Sequence, residues 1–462
     1  MAIQSEHNVA SADLASRHFR QMQVVLFLGS SSAALASGFS SVSILATSIW
    51  LILCGSYVQR SFGFFKMHKP VVLFWWLGLL PAVLPLFFYD QFNVGIASQS
   101  YPAGPAWLIC YTMVIFTAGV FDKTAALDKQ VVAVVPLSVV ANLRIVGFLL
   151  LSVSIAANYW IISKVGNPYG SDNPEADRLA LDGGGSGVLL AIGFSALLIG
   201  ISCSAAGIFW RGQRLGGFTL FLGGLLTGVA TYTMALTGTR SIAVYALVAA
   251  LVVASVSRFR RVPAKLVLPS FGGLLLLIGY IGQLRYRGES LSIGRLLGDR
   301  LSSDIQGGGL IYNLANSDGF WFGKAIVLPF GTYAPGSQPG LGTELKNSLN
   351  LQFSGGGIST PLPVEGYLDF GWVGVVLYGC LAGAVLAGLG AFAARYVGPF
   401  ALVFSVGVGV ILAGLSAGLG TSLATFVLPT FIVATAALGA IKFLSREPGS
   451  DNAGEEVDPV IR

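Results

Sequence analysis

The chain has 462 residues, of which 54% are apolar and only 10% are charged, whereas an ordinary soluble domain carries about 25% charged residues. The mean hydropathy of +0.75 agrees with this composition. These values exclude a soluble globular enzyme, a disordered chain and a nucleic-acid-binding protein with a basic face. The net charge of +6 instead fits a membrane protein, in which Lys and Arg collect in cytoplasmic loops.

Apolar runs long enough to cross a bilayer recur along the chain, because a spanning helix needs about 20 predominantly apolar residues. The sequence predicts an all-α polytopic membrane protein with about twelve transmembrane helices and one large extracytoplasmic loop. The predicted spans cover residues 22–37, 41–58, 70–89, 105–121, 145–162, 188–210, 217–237, 241–257, 266–283, 371–393, 399–418 and 422–441. We interpret the first as a retained span rather than a cleaved signal peptide, since the second follows at once.

The predicted organisation has four parts. Spans one to nine occupy residues 1–283, with a smaller outer loop at 163–187; the large outer loop covers 284–370; spans ten to twelve cover 371–444; and a disordered cytoplasmic tail covers 445–462. Residues 131–145 contain Pro136 and Arg144, and we interpret them as an interfacial lead-in to the fifth span. The alternative is one long tilted helix.

Charge predicts the orientation. If the N-terminus is inside, most Lys and Arg of the short loops fall on the cytoplasmic side, as the positive-inside rule requires. Both termini are then cytoplasmic, and the loop at 284–370 faces outward. Loops of that length without a function are uncommon.

The large loop contains arginines and carboxylates but no histidine, because His7, His18 and His68 all fall on the cytoplasmic side. Arg285 and Arg287 follow the ninth predicted span, and arginine suits bidentate recognition of phosphate. A carboxylate near the membrane surface suits general-base catalysis. These residues predict a phosphate-bearing substrate and a proton-accepting step outside the cytoplasm; the alternative for the two arginines is interfacial snorkelling.

Arg240 lies between two apolar runs in Thr-Gly-Thr-Arg-Ser, with almost no loop. A cation at a membrane boundary usually has a partner or a task, so we expect it to bind a ligand or to form a structural ion pair. The outer carboxylates besides Glu365 include Asp304, Asp318 and Glu344. No His/Cys/Asp spacing predicts a metal site.

Two segments resemble the O-antigen polymerases, the Wzy-type polymerases of lipid-linked oligosaccharide repeat units. Residues 319–329 read GFWFGKAIVLP, and residues 365–374 read EGYLDFGWVG, which is similar to the family's Glu-x-Tyr-x-x-Phe-Gly-x-x-Gly pattern. The Thr-Gly-Thr-Arg turn also resembles a short Arg-bearing turn of that family. One departure is that Phe330 and Gly331 follow Pro329, where many relatives carry a basic residue.

The resemblance implies a GT-C-like enzyme of the bacterial inner membrane, acting on glycans linked to undecaprenyl pyrophosphate. It implies no cofactor, no nucleotide sugar and no catalytic metal, and a chain-length regulator as a partner besides membrane lipids. Glu365 would be the catalytic base, and the substrate-binding residues would be Arg240, Arg285, Arg287, Lys324 and Tyr367. The alternative for Glu365 is a helix N-terminal charge. For Tyr367 and Trp372, the alternative to stacking on sugar is a place in the interfacial aromatic belt, which their position favours.

Two rival functions share part of this pattern. A glycan ligase has a similar topology, but ligases of this kind carry a histidine in the large loop, which this sequence lacks. A transporter or flippase predicts repeat symmetry and short loops, whereas this chain has one long loop. The polymerase is therefore the favoured function.

Overall fold

The computed structural model describes residues 41–83, 86, 103–122, 124–131, 133–165, 185–211, 216–237, 240–260, 262–263, 265, 307–333, 340–351, 358 and 360–445. Over these residues the chain is all-helical. The first helices are α1 Ser41–Ser61, α2 Pro70–Val83, α3 Ala103–Val120, α4 Thr124–Gln130, α5 Leu137–Val165, α6 Gly185–Phe209, α7 Gly217–Leu236 and α8 Arg240–Phe259. They are followed by α9 over 307–318, α10 Lys324–Val327 with a 3₁₀ extension Leu328–Tyr333, α11 Leu341–Ser348, α12 Leu362–Ala393, α13 Pro399–Ala417 and α14 Leu419–Leu444.

Seven of these helices are long and apolar enough to cross a membrane: α5, α6, α7, α8, α12, α13 and α14. They coincide with predicted spans five to eight and ten to twelve, and this confirms a polytopic membrane protein. The shorter apolar helices α2 and α3, together with α1, fall on predicted spans two to four. The predicted spans 22–37 and 266–283 lie outside the described residues, so the total of twelve stays a prediction.

The interpretation of residues 131–145 was wrong in part. Helix α5 begins at Leu137, directly after Pro136, and runs without interruption through Arg144 to Val165. Proline has no N–H and is tolerated where a helix starts, so Pro136 precedes the helix rather than breaking it. The long-helix alternative is therefore correct for residues 137–145, and the 29 residues of α5 exceed the roughly 20 that span a bilayer.

Small residues let the central helices approach closely. A Cβ atom on Gly147 of α5 would lie 2.5 Å from the backbone nitrogen of Ser204 on α6, and one on Gly379 of α12 would lie 2.5 Å from the carbonyl oxygen of Cys110 on α3. Such contacts replace the hydrophobic driving force that helices lack within lipid. The α5–α6 and α3–α12 pairs are thereby fixed backbone to backbone.

One end of the helical bundle gathers most of the described positive charge. We call it the basic end, and it comprises residues 60–69, 128–131, 133–136, 210–211, 258–260, 262–263, 394–398 and 445. Its connections include the Gly398 N–H donating to the Gln130 carbonyl oxygen at 2.8 Å and Asn142 donating to the Ser445 hydroxyl at 3.0 Å. The basic side chains there are Arg60, Lys66, Lys69, Lys129, Arg211, Arg258, Arg260 and Arg395.

Asp128 joins α4 to the turn that precedes α2. Its carboxylate lies 2.8 Å from the Lys66 ammonium, 3.2 Å from Lys69 and 2.7 Å from the His68 Nε2 atom. Burial alone would raise the pKa of Asp128, but hydrogen bonds from His68 and Lys66 and the charge of Lys69 hold it well below its usual range. Burial lowers the pKa of His68 despite its contact with Asp128.

The opposite end is formed by α9, α10 and α11 with the first turns of α12 and α14. We call it the loop end, and it comprises residues 307–333, 340–351, 360–371 and 418–420. Because α12 and α14 both terminate at the basic end, their N-terminal turns lie at the other side of the bundle. The residues that carry the polymerase resemblance therefore share one end, together with most of the described carboxylates of the predicted outer loop.

Candidate functional site at the loop end

Helix α12 is broken at Phe370 and Gly371. Gly371 has a φ of 62° and a ψ of −143°, and Phe370 is also non-helical. Glycine is the residue that adopts positive φ without steric cost. Gly366 and Gly374 face each other across the break, and a Cβ atom on either would overlap the carbonyl oxygen of the other. The glycines of the Phe-Gly-x-x-Gly pattern are therefore required by the geometry of the break.

The break falls at the predicted boundary between the large loop and the tenth span. Residue 371 was the predicted start of that span, and it is where the long continuous part of α12 begins. Residues 362–370, predicted to be the end of the loop, form a buried helical segment instead. Two carboxylates on this segment, Glu365 and Asp369, have no exposed surface.

Asp369 holds the segment 319–327 against α12. Its carboxylate accepts hydrogen bonds from the Ala325 N–H at 3.0 Å and from the Tyr378 hydroxyl. The backbone N–H groups of Trp321 and Phe322 donate to the carbonyl oxygens of Leu368 and Asp369, both at 3.0 Å. The two segments that resemble the polymerases are thus packed together as one unit.

Glu365 connects α12 to the start of α14. Its two carboxylate oxygens accept hydrogen bonds from the backbone N–H groups of Leu419 and Gly420, the second at 2.9 Å. These N–H groups belong to the first turn of α14, where no intrahelical acceptor is available, and a negative charge there is favoured by the helix dipole. Gly420 has no room for a side chain, since a Cβ atom would lie 2.7 Å from the Cα atom of Ile326.

This position bears on the role predicted for Glu365. A general base must come within hydrogen-bond distance of the proton it removes, whereas Glu365 is fully buried and each of its oxygens already accepts an N–H bond. The geometry favours an anchoring role. This role is close to the stated alternative, a negative charge at a helix N-terminus, but the helix concerned is α14 and not α12, which carries Glu365. The catalytic role stays a prediction.

A partly exposed ion pair lies beside this anchor. The Lys324 ammonium is 2.8 Å from the Glu344 carboxylate, and the side chains keep 48% and 27% of their surface exposed. The same ammonium lies 4.7 Å from the centroid of the Trp321 ring, within the range of a cation–π contact. Lys324 is at the start of α10 and Glu344 is in the first turn of α11, so the pair also joins these two short helices.

Three aromatic rings surround Tyr367, one of the predicted substrate-binding residues. Its ring centroid is 4.7 Å from Tyr312, 6.0 Å from Phe320 and 5.9 Å from Trp372. Its hydroxyl donates to the Asn316 side-chain oxygen at 3.1 Å. Tyr367 is buried, which differs from a belt residue facing lipid headgroups.

The structure brings together three of the predicted site residues, Glu365, Lys324 and Tyr367, at the loop end. Helix α8 begins at Arg240, but the arginine side chain lies outside the described part of the chain. Arg285 and Arg287 also lie outside it. Their predicted contacts with phosphate are untested.

Sequence reasoning gave no role to Asp369, Tyr312 or Asn316. Asp369 follows Glu365 by four residues, and on a helix that spacing puts both side chains on one face; this signal was available. Tyr312 and Asn316 share the same spacing on α9. No family model matches this sequence, and no curated protein or solved structure matches it significantly. The chemistry of the site therefore rests on its own residues.

Proposed function

We propose that this protein is a membrane glycosyltransferase that joins lipid-linked oligosaccharide repeat units into a surface polysaccharide. The observation that carries the proposal is the hydrogen-bonded unit formed by residues 319–327 and the broken start of α12. These segments, far apart in the sequence, are the ones that resemble O-antigen polymerases, and they meet beside an exposed cation, a carboxylate and aromatic rings. A GT-C-like architecture with about twelve spans belongs to the same proposal.

The orientation in this proposal follows from charge. The basic end carries the positive side chains that the cytoplasmic side of a membrane protein accumulates. The loop end then faces outward, where lipid-linked glycans are presented and nucleotide sugars are scarce. Both chain termini are cytoplasmic in this arrangement, and the membrane is the inner membrane of a bacterium.

The proposed reaction is a single glycosyl transfer. A hydroxyl oxygen of the acceptor glycan forms a bond to the anomeric carbon of the donor, and the bond from that carbon to the pyrophosphate oxygen breaks. The acceptor proton passes to a base, and the electron pair of the broken bond leaves with the undecaprenyl pyrophosphate. The protein must therefore supply a proton acceptor and positive charge for the leaving group.

Glu344 and Lys324 are partly exposed residues of the loop end that suit these two tasks. In the proposal, the Glu344 carboxylate accepts the proton of the acceptor hydroxyl. Protonation neutralises the partner of Lys324, so the ammonium becomes free to pair with the departing pyrophosphate. Arg240, Arg285 and Arg287 are proposed to hold the same pyrophosphate, because a guanidinium binds phosphate in a bidentate manner. Glu365 acts as a positioning residue.

The test compares Lys324→Ala and Glu344→Gln with the matched control Lys346→Ala on the same short helix as Glu344. Purified protein in liposomes is supplied with undecaprenyl-pyrophosphate-linked repeat units, and the released carrier is quantified. We expect a rate loss on the order of 10²-fold for each site variant, since removal of one charge-stabilising group or one base typically has this size, and no loss for the control. Normal rates in both site variants, at equal amounts of folded protein, would refute this assignment.

A further inference from the structure

The rings of Tyr312, Phe320, Tyr367 and Trp372 form a cluster that we call the aromatic platform. Phe320 and Trp372 both meet Tyr367 edge-on, with interplanar angles of 77° and 87°, and Tyr312 is tilted by 35°. Edge-to-face contacts of this kind are favourable because the positive ring edge meets a negative ring face. The platform is therefore a defined assembly held around one buried tyrosine.

The outer rings of the platform remain accessible. Phe320 keeps 39% and Trp372 keeps 36% of its surface exposed, although both pack against the buried Tyr367. An amide borders the buried ring of the platform, because the Asn316 side-chain oxygen accepts a hydrogen bond from the Tyr367 hydroxyl. Ser317 and Asp318 follow Asn316 at the end of α9, and the Ser317 hydroxyl donates to the Asp318 carboxylate at 2.8 Å. An aromatic surface with a polar border, the exposed Asn316 amide, is thus presented at the loop end.

We infer that the aromatic platform binds a pyranose ring of the acceptor glycan. One face of a pyranose exposes C–H groups that carry partial positive charge, and these pack on the negative face of an aromatic ring. The rim of the sugar carries hydroxyl groups, which are the natural partners of amide and carboxylate oxygens. A fatty acyl chain would satisfy the rings but would leave the polar border without partners. That the sugar is the acceptor rests on the proposed function.

The position of the platform relative to the ion pair supports an acceptor site. Phe320 of the platform is followed in sequence by Trp321, and the Lys324 ammonium lies over the Trp321 ring. The Trp321 N–H donates a hydrogen bond to the carbonyl oxygen of Leu368, the residue after Tyr367. The platform and the Lys324–Glu344 pair are therefore parts of the same packed unit. A sugar held on the platform would therefore bind to the same packed unit that carries the proposed base.

The break in α12 sets the geometry of the platform. A Cβ atom on Gly371 would lie 3.0 Å from the Phe320 ring, so Phe320 rests directly on the broken backbone. Tyr367 and Trp372 flank the break on its two sides, and their ring centroids lie 5.9 Å apart. This gives the Phe-Gly-x-x-Gly pattern a task beyond helix packing, namely the placement of a sugar-binding surface.

The test measures binding of a lipid-free probe. The repeat-unit oligosaccharide of the cell's own surface polysaccharide, released from its carrier by mild acid, is titrated into the full-length protein in detergent and followed by saturation-transfer NMR. We expect Trp372→Ala and Phe320→Ala each to weaken binding about tenfold, which corresponds to 1.4 kcal/mol. Trp372→Phe, which keeps an aromatic ring, should retain most of the affinity. The matched control is Phe221→Ala on α7, an aromatic residue that is more exposed and lies outside the platform.

The outcomes separate the two proposals. Loss of oligosaccharide binding in the platform variants but not in Phe221→Ala supports the platform. If the wild-type protein binds the oligosaccharide in this way but forms no polymer, the proposed function alone fails. Wild-type affinity in both platform variants overturns the platform, and polymer formation by those variants would leave the proposed function intact. If Trp372→Ala does not fold, wild-type affinity of Phe320→Ala overturns the platform equally.

Discussion

Replacing Glu365 by alanine removes both acceptors at the start of α14. The N–H groups of Leu419 and Gly420 would then be buried without a partner, and each such group costs about 1–3 kcal/mol. The expected destabilisation is about 2–6 kcal/mol for the pair, before any contribution from the cavity. Glutamine keeps one carbonyl oxygen but turns its NH₂ group toward the second N–H, so we expect about 1–3 kcal/mol for Glu365→Gln.

Thermal unfolding in a mild detergent, together with the abundance of the protein in membranes, measures this effect. The matched control is Glu344→Gln, because its ion pair with Lys324 is partly exposed and such pairs contribute about 0–1 kcal/mol. The anchoring role therefore predicts an inversion between the two variants. Glu365→Gln should lower stability and abundance, whereas Glu344→Gln should leave both near wild type and reduce polymer formation.

The opposite pattern would refute the anchoring role. If Glu365→Gln unfolds at the wild-type temperature, accumulates normally and forms no polymer, then its carboxylate acts on the substrate, as the sequence predicted. If Glu344→Gln at the same time forms polymer at the wild-type rate, the proposed base is wrong as well. The two variants thus distinguish a buried anchor from a catalytic group without reference to any homologue.

Three further predictions concern other parts of the molecule. Gly371→Ala should destabilise the protein by about 1–2 kcal/mol, since alanine at positive φ is strained and its Cβ meets Phe320; unchanged thermal unfolding would contradict the broken helix. Asp128→Asn should lower stability by about 1–3 kcal/mol, because the buried Lys69 loses its counter-charge. This is the cost of breaking a buried ion pair, reduced because Asp128 is partly exposed. The control Lys66→Ala, which removes the more exposed partner, should lower stability less. The pKa of His68 is lower in the folded protein than its ordinary value of 6.5, so the unfolded chain binds more protons and stability should fall as the pH drops below about 6.5. His68→Gln should make the unfolding temperature less dependent on pH in that window. A wild-type protein that gains stability on acidification would contradict the assignment.

The transmembrane part of the fold was predictable because it depends on local composition. Helices α5 to α8 and α12 to α14 coincide with apolar runs, since a spanning segment must be apolar along its whole length whatever its neighbours. The start of α5 was predicted at residue 145 because Pro136 and Arg144 were both interpreted as signs of an interfacial segment. Only the proline limits the helix, which begins at Leu137. A single arginine can lie inside a long helix near the membrane boundary, where its side chain extends toward water.

The candidate site was predictable only in part. The sequence identified Glu365, Lys324 and Tyr367, and the structure brings these three residues to one end. The sequence could not show what Glu365 contacts, because Leu419 lies 54 residues further along the chain and contributes a backbone N–H. Every residue except proline has such a group. The break in the helix was also hidden, because glycines within an apolar run are common in membrane helices, although the predicted start of the tenth span at residue 371 coincides with it. Long-range backbone contacts of this kind leave no side-chain signature.

Polymer formation by the purified protein is the decisive test of the proposed glycosyl transfer. Full-length protein in liposomes is incubated with undecaprenyl-pyrophosphate-linked repeat units as the only substrate, and the products are separated by gel electrophoresis. The proposal predicts a ladder whose steps are one repeat unit apart, formed with or without EDTA. A single shift onto a different acceptor would indicate a ligase, and the absence of any new glycosidic bond would contradict glycosyl transfer by this protein.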